Sequence, residues 1–209
     1  GSSGNFLVSD RQSEVYQALM RSGDQQTVNQ LANFTGAYWG EQRMAAPYYA
    51  GAITFFLFAL GIAFAEKKYV WWLGSASALG ILLSYGSNFA AFNYFMFDYF
   101  PGYGAFRSVT FTLIMPLFAM PLLGLMGLER LWAKGLTKET KRRVLYVFGF
   151  TGGLCLVLWA FAGLFSFTRE VEEQLPAWFI DALAEDRKSL FRSDAMRSFF
   201  FIVAVFTVI

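Results

Sequence analysis

Four long stretches of this chain carry no charged residue: 44–65, 69–97, 108–128 and 144–168. Each reaches or exceeds the roughly 20 residues that a helix needs to cross a hydrocarbon core of about 30 Å. A water-soluble domain can bury one such stretch. Four of them in 209 residues would leave too little polar surface to cover them. The composition agrees, with 56% hydrophobic and 15% charged residues against about 45–50% and 25% in soluble domains. The sequence therefore predicts an all-α, polytopic transmembrane helix bundle with amphipathic, interfacial helices on the extracytoplasmic side. Spans are expected at about 46–65, 69–89, 108–128 and 144–166, with a truncated one at 198–209. Residues 1–43 form an extracytoplasmic helical segment, and 44–209 form the transmembrane part with outer loops at 90–107 and 167–197. The expected partner of the apolar surface is the lipid bilayer, in a bacterial cytoplasmic membrane.

The orientation follows from the basic residues. The linkers Glu66–Lys68 ("EKK") and Glu129–Arg143 ("ERLWAKGLTKETKRR") hold eight Lys and Arg in eighteen residues. Basic residues concentrate in short cytoplasmic loops, so both linkers are expected inside. The stretches 1–43, 98–107 and 169–197 then fall outside. The last of these carries five basic residues, with seven acids beside them.

Several function classes lack support. There is no His, which removes the commonest general base and metal ligand, and no Cys/His ligand cluster or Walker-type phosphate loop is present. No metal and no cofactor is expected. The formal charge of +2 gives no ground for nucleic acid. The lone Cys155, in "GGLCLVLWAF", reads as a small helix-packing residue. The final apolar run is too short to span, and the start shows neither an initiator Met nor a signal-peptide layout. The chain is accordingly expected to be a piece of a larger membrane protein.

The outer segments have helical signals of their own. Ser9 with Gln12 forms a capping box for a helix over Asp10–Arg21, ending at Ser22–Gly23. Asp24 starts a second short helix with Val28, Leu31, Ala32 and Thr35 on one face, closed by Gly36. Pro176 stands near another helix start. There Trp178, Phe179, Ala182 and Leu183 recur at helical spacing, as a helix lying along a membrane surface would show. Pro116 and Pro121 bend the third span or break it beside a cavity. The Gly and Ser of "GSASALGILLSYGSN" permit close helix approach.

The stretch "FNYFMFDYFPGYGAFR", 92–107, places Asp98 and Arg107 among aromatic rings. One reading is an interfacial belt, where aromatic residues suit the headgroup layer and "FPGYG" is a turn. The other is a platform for a sugar or a lipid-linked phosphate. The rings, Tyr103 among them, would cover sugar faces, Asp98 would accept hydroxyl hydrogen bonds, and Arg107 would grip phosphate through two parallel N–H bonds. A second patch, "AYWGEQRMAAPYY", adds Trp39, Glu41 and Gln42 as ligand candidates.

The segments "YWGEQ", "PYYAGAITFFLFALGI" and "ILLSYGSNFAAFNYFMFDYFPGYGAFRSVTFTLIM", followed by "LAEDRKSLFRSDAMRSFFFI", resemble the YfhO family of bacterial multi-pass membrane proteins. The likeness runs in order along nearly the whole chain, and it places "GSSG" in a Gly/Ser-rich outer loop. It implies a large protein related to type C glycosyltransferases, which take a polyprenyl-phosphate-linked sugar donor and act on the extracytoplasmic side. An envelope polymer would be the acceptor. In such enzymes the catalytic acid usually lies in the first outer loop, which this chain does not match, so no catalytic residue is carried over. The leading expectation is part of an envelope glycosyltransferase. A transporter or flippase for lipid-linked sugars, or a non-catalytic scaffold subunit, are the alternatives. The four complete spans contain no charge of the kind a transporter would call for.

Overall fold

A computed structural model describes residues 11–22, 28, 30, 31, 36, 49–105, 109–135, 137–169 and 172–209. Among these residues every regular element is helical: α1 (Glu14–Ser22), α2 (Ala52–Phe64), α3 (Lys67–Ser84), α4 (Ala90–Tyr99), α5 (Ile114–Lys134), α6 (Lys138–Ala160) and α7 (Ala177–Val208), with short 3-10 turns between some of them. The chain divides into two compact units. One holds residues 1–47 and 154–199, the other 48–153 and 200–209.

The second unit is built on glycine contacts. A side chain at Gly124 would meet Leu57 Cβ at 2.8 Å, one at Gly127 would meet Gly61 Cα at 2.5 Å, and one at Gly61 would run into the Leu123 carbonyl. The α2 and α5 backbones therefore approach closely at each glycine, and at Gly61–Gly127 neither helix has a side chain, the mode that packs helices without a hydrophobic driving force. Gly80 does the same for α3. A Cβ there would lie 2.6 Å from Pro116 Cδ, and Thr112 Oγ1 donates to the Gly80 carbonyl at 3.0 Å. Pro116 stands in the first turn of α5 and is buried, where its missing N–H is no loss. Pro121 is the proline inside the helix. At one end of this unit Glu66 pairs with Arg130 and with Lys68, the latter at 3.2 Å. The two basic linkers thus meet.

Two of the expected spans are shorter than their uncharged stretches. In the first, α2 starts only at Ala52 and has 13 residues, about 20 Å at 1.5 Å per residue. Gly51 before it sits at φ 88°, a left-handed conformation that ends regular helix. In the second, α3 stops at Ser84, and Gly86 (φ 54°) turns the chain through a 3-10 segment into a separate α4. Counting charges could not see these breaks. Two helical segments are long and apolar enough to cross a membrane, Thr110–Lys134 with 25 residues and Lys138–Ala160 with 23. Of their apolar windows 33% and 17% are buried.

The first unit has a core of its own. Val15, Leu19, Leu31, Phe179 and Leu183 are buried together, with Val28, Leu175, Ala182 and Leu190 packed around them. Fully burying one such side chain is worth about 1.5–3 kcal/mol. The Phe179–Leu183 stripe, expected to face a membrane surface, is covered by α1 within this unit. The residues at 177–208 form one 32-residue helix, where an interfacial helix and a truncated span were expected as separate pieces.

Candidate functional site

Local bonding fixes how α1 and the first half of α7 meet. Ser13 caps α1, its Oγ accepting the Tyr16 N–H at 3.0 Å; the Ser9 of the expected capping box lies outside the described residues. From 172 and 171 positions along the chain, Asp186 accepts the Glu14 and Val15 N–H groups at 2.9 and 2.8 Å. A carboxylate at a helix N-terminus satisfies orphan donors and complements the helix dipole. At the start of α7, the Pro176 carbonyl accepts the Phe179 and Ile180 N–H groups.

Beside Asp186 lies a buried ion pair. Arg187 and Glu172 are fully buried. Arg187 donates to the two Glu172 carboxylate oxygens at 2.8 and 2.9 Å, to the Phe167 carbonyl at 2.7 Å and to the Gly36 carbonyl at 3.0 Å. Arg169 donates to the same carboxylate through its backbone N–H at 2.9 Å and its Nε at 2.7 Å. Burial alone would push the Glu172 carboxyl up; the hydrogen bonds from Arg187 and Arg169 and the Arg187 charge outweigh it and hold it below the usual range.

With these elements fixed, one helix face of each is left to form a groove. On α1, Glu14, Ala18 and Arg21 recur at helical spacing next to the buried Val15 and Leu19. On α7, Trp178, Asp181, Ala182 and Glu185 do so next to the buried Phe179 and Leu183. Together they line a cavity of about 590 Å³, within the usual size of small-ligand sites. Trp178 is 41% exposed there, and its indole meets the buried Phe179 ring edge-on at 5.8 Å. The groove therefore offers a flat aromatic face, three carboxyl groups and one guanidinium. A second hollow of about 400 Å³ shares Asp181 and Glu185 and is closed by Phe165–Thr168, Ala184 and Lys188.

The residues expected from sequence fall elsewhere. Trp39, Glu41, Gln42 and Arg107 lie outside the described residues. Asp98 is exposed on α4 and makes no hydrogen bond or ion pair with a described residue. Tyr103 is buried, and its hydroxyl donates to Asn93 Oδ1 at 2.5 Å; burial pushes its phenol above the ordinary value. The Pro-Gly turn folds back on α4, with Gly104 against the Phe97 ring, so Tyr103 and Asp98 do not share hydrogen bonds.

Sequence reading did not nominate Trp178, Asp181, Glu185, Glu14 and Arg21 as a site. The signal for their scaffold was present. Asp186 and Arg187 fall on the same helical stripe as Phe179, Leu183 and Leu190, and charges on an apolar face need partners. No protein-family model, no curated protein and no solved structure matches the chain.

Proposed function

We propose that this chain is part of a multi-pass envelope glycosyltransferase of the bacterial cytoplasmic membrane. It works with a polyprenyl-phosphate-linked sugar donor, and its Trp178 groove receives the carbohydrate of the acceptor on the extracytoplasmic side. The observation that carries this reading is the groove itself. An exposed indole gives the apolar face of a sugar ring something to stack on. Asp181, Glu185 and Glu14 accept hydrogen bonds from ring hydroxyls, and Arg21 donates them. Even with Lys188 paired to Glu185 at 3.1 Å, three carboxyls outnumber the two cations and disfavour a phosphate, so the groove suits an uncharged polyol and not the anionic carrier. The two long apolar helices support the membrane setting, and the resemblance of the quoted segments supports the class of reaction.

In this reading the groove positions and does not perform the chemistry. A carboxylate outside the chain would take the proton of the attacking hydroxyl, and cations would steady the departing lipid phosphate. The residues of the groove hold the acceptor so that its hydroxyl is presented in one orientation, which alone can account for much of a barrier reduction.

The test is an intrinsic-fluorescence titration of the detergent-solubilised chain with neutral glucose and N-acetylglucosamine oligosaccharides. Wild type should show saturable quenching that is absent in Trp178→Phe. Identical titration curves for the two proteins would remove the groove from the account.

A further inference from the structure

The end of the second unit where Glu66 meets Arg130 has a chemistry of its own. Trp71 and Trp72 on α3 are 76% and 78% exposed, and Trp132 on α5 is 65% exposed. Three large indoles facing water at one end are costly in an aqueous setting and ordinary at a membrane interface. On α3 each indole lies one turn beyond a lysine: Lys67 precedes Trp71 and Lys68 precedes Trp72 by four residues. On α5 Trp132 lies between Arg130 and Lys134.

Charge singles out the occupant. The two linkers hold eight basic residues and three acids. Two of the acids are engaged, Glu66 with Lys68 and Arg130, and Glu139 with Arg143 at 2.7 Å. Lys67, Lys134, Lys138, Lys141 and Arg142 are exposed and make no ion pair with a described residue. The Glu66–Arg130 pair brings the Lys67 end of α3 to the Lys134 end of α5, and α6 begins with Lys138 only four residues after Lys134, so these cations form one collar. On α3 the indoles lie about 5 Å, one helical turn, farther along the helix axis than the lysines. Cation outside and indole inside is the order that an anionic headgroup and its glycerol backbone present.

We propose that this collar is a binding surface for anionic phospholipid headgroups, with the lysines and Arg142 on the phosphates and the three indoles at the ester level. The inference rests on the membrane reading above, though not on the carbohydrate groove. Basic clusters next to a span attract anionic lipid by about 1 kcal/mol per cation, so each neutralised residue should weaken the preference about fivefold.

The experiment reconstitutes the chain into nanodiscs of phosphatidylcholine or of phosphatidylglycerol. It then counts retained phosphatidylglycerol by native mass spectrometry and measures melting temperature in each. Wild type should retain phosphatidylglycerol and melt higher in it, an advantage that salt reduces. Combined Lys67→Gln, Lys134→Gln, Lys138→Gln, Lys141→Gln and Arg142→Gln should erase the difference. Equal retention and equal melting of wild type in both lipids would overturn the collar while leaving the membrane reading intact. So would a neutralised protein that keeps the preference. Failure of wild type to enter either bilayer would overturn both.

Discussion

Arg187 on α7 closes on Glu172 through two parallel N–H···O contacts of 2.8 and 2.9 Å, with both side chains fully buried. The same guanidinium holds the carbonyls of Phe167 and Gly36. One side chain thus ties three separate stretches of the first unit. Breaking a buried pair from one side leaves an unpaired charge and costs about 3–5 kcal/mol. Arg187→Ala should therefore lower the thermal midpoint sharply and expose α1 to protease. Arg187→Lys should not restore it, because an ammonium cannot reproduce the planar two-donor fork. Thermal melts and limited proteolysis of the three proteins check this.

Glu172 makes the first unit sensitive to acid. Its folded pKa lies below the ordinary value, so the unfolded state takes up a proton first. The stabilisation is complete above the unfolded value of about 4.3 and is lost as pH falls through the depressed folded value. As pH falls below about 5 the wild-type midpoint should drop. Glu172→Gln should start lower and lack that component of the drop. Melting curves across this range decide it.

Close helix contact in the second unit can be tested at Gly124. A valine there would press on Leu57 Cβ, which lies 2.8 Å from the position of an added Cβ. Overpacking of this kind costs about 1–3 kcal/mol. Gly124→Val should reduce stability by that order, whereas Gly149→Ala, with nothing within 4 Å of its added Cβ, should not. Chemical denaturation in detergent measures both.

The orientation across the membrane is open to cysteine labelling in a Cys155→Ala background. Arg11 and Lys138 are both exposed. An impermeant maleimide applied to intact cells should label Arg11→Cys and spare Lys138→Cys. Labelling of Lys138→Cys alone would invert the scheme and put the Trp178 groove inside.

The helical class was legible in the sequence, and so were particular local features. Pro176 does start a helix, Val28 and Leu31 do share a buried face, and Gly80 does allow close packing. Helix ends were less legible. The breaks at Gly51 and Gly86 depend on backbone conformation, and an uncharged run continues through a glycine without a mark. The destination of an amphipathic stripe was not legible either. Phe179 and Leu183 show the same spacing whether they meet lipid or another helix, and only the partners Val15, Leu19 and Leu31, more than 140 positions away, decide. The groove followed from that pairing and could not be seen before it. The aromatic run at 92–107 drew attention by composition, whereas its Tyr103 hydroxyl is engaged by Asn93.

Two aromatic surfaces are candidates for the proposed carbohydrate ligand, the Trp178 groove and the α4 turn that carries Asp98. Photoaffinity labelling separates them. The chain in lipid nanodiscs is exposed to a diazirine-bearing neutral oligosaccharide, irradiated, digested and mapped by mass spectrometry, with unlabelled oligosaccharide as competitor. The account predicts competable labels on α1 and on Trp178–Glu185 of α7. Competable labels confined to residues 90–105, or none at all, would contradict it.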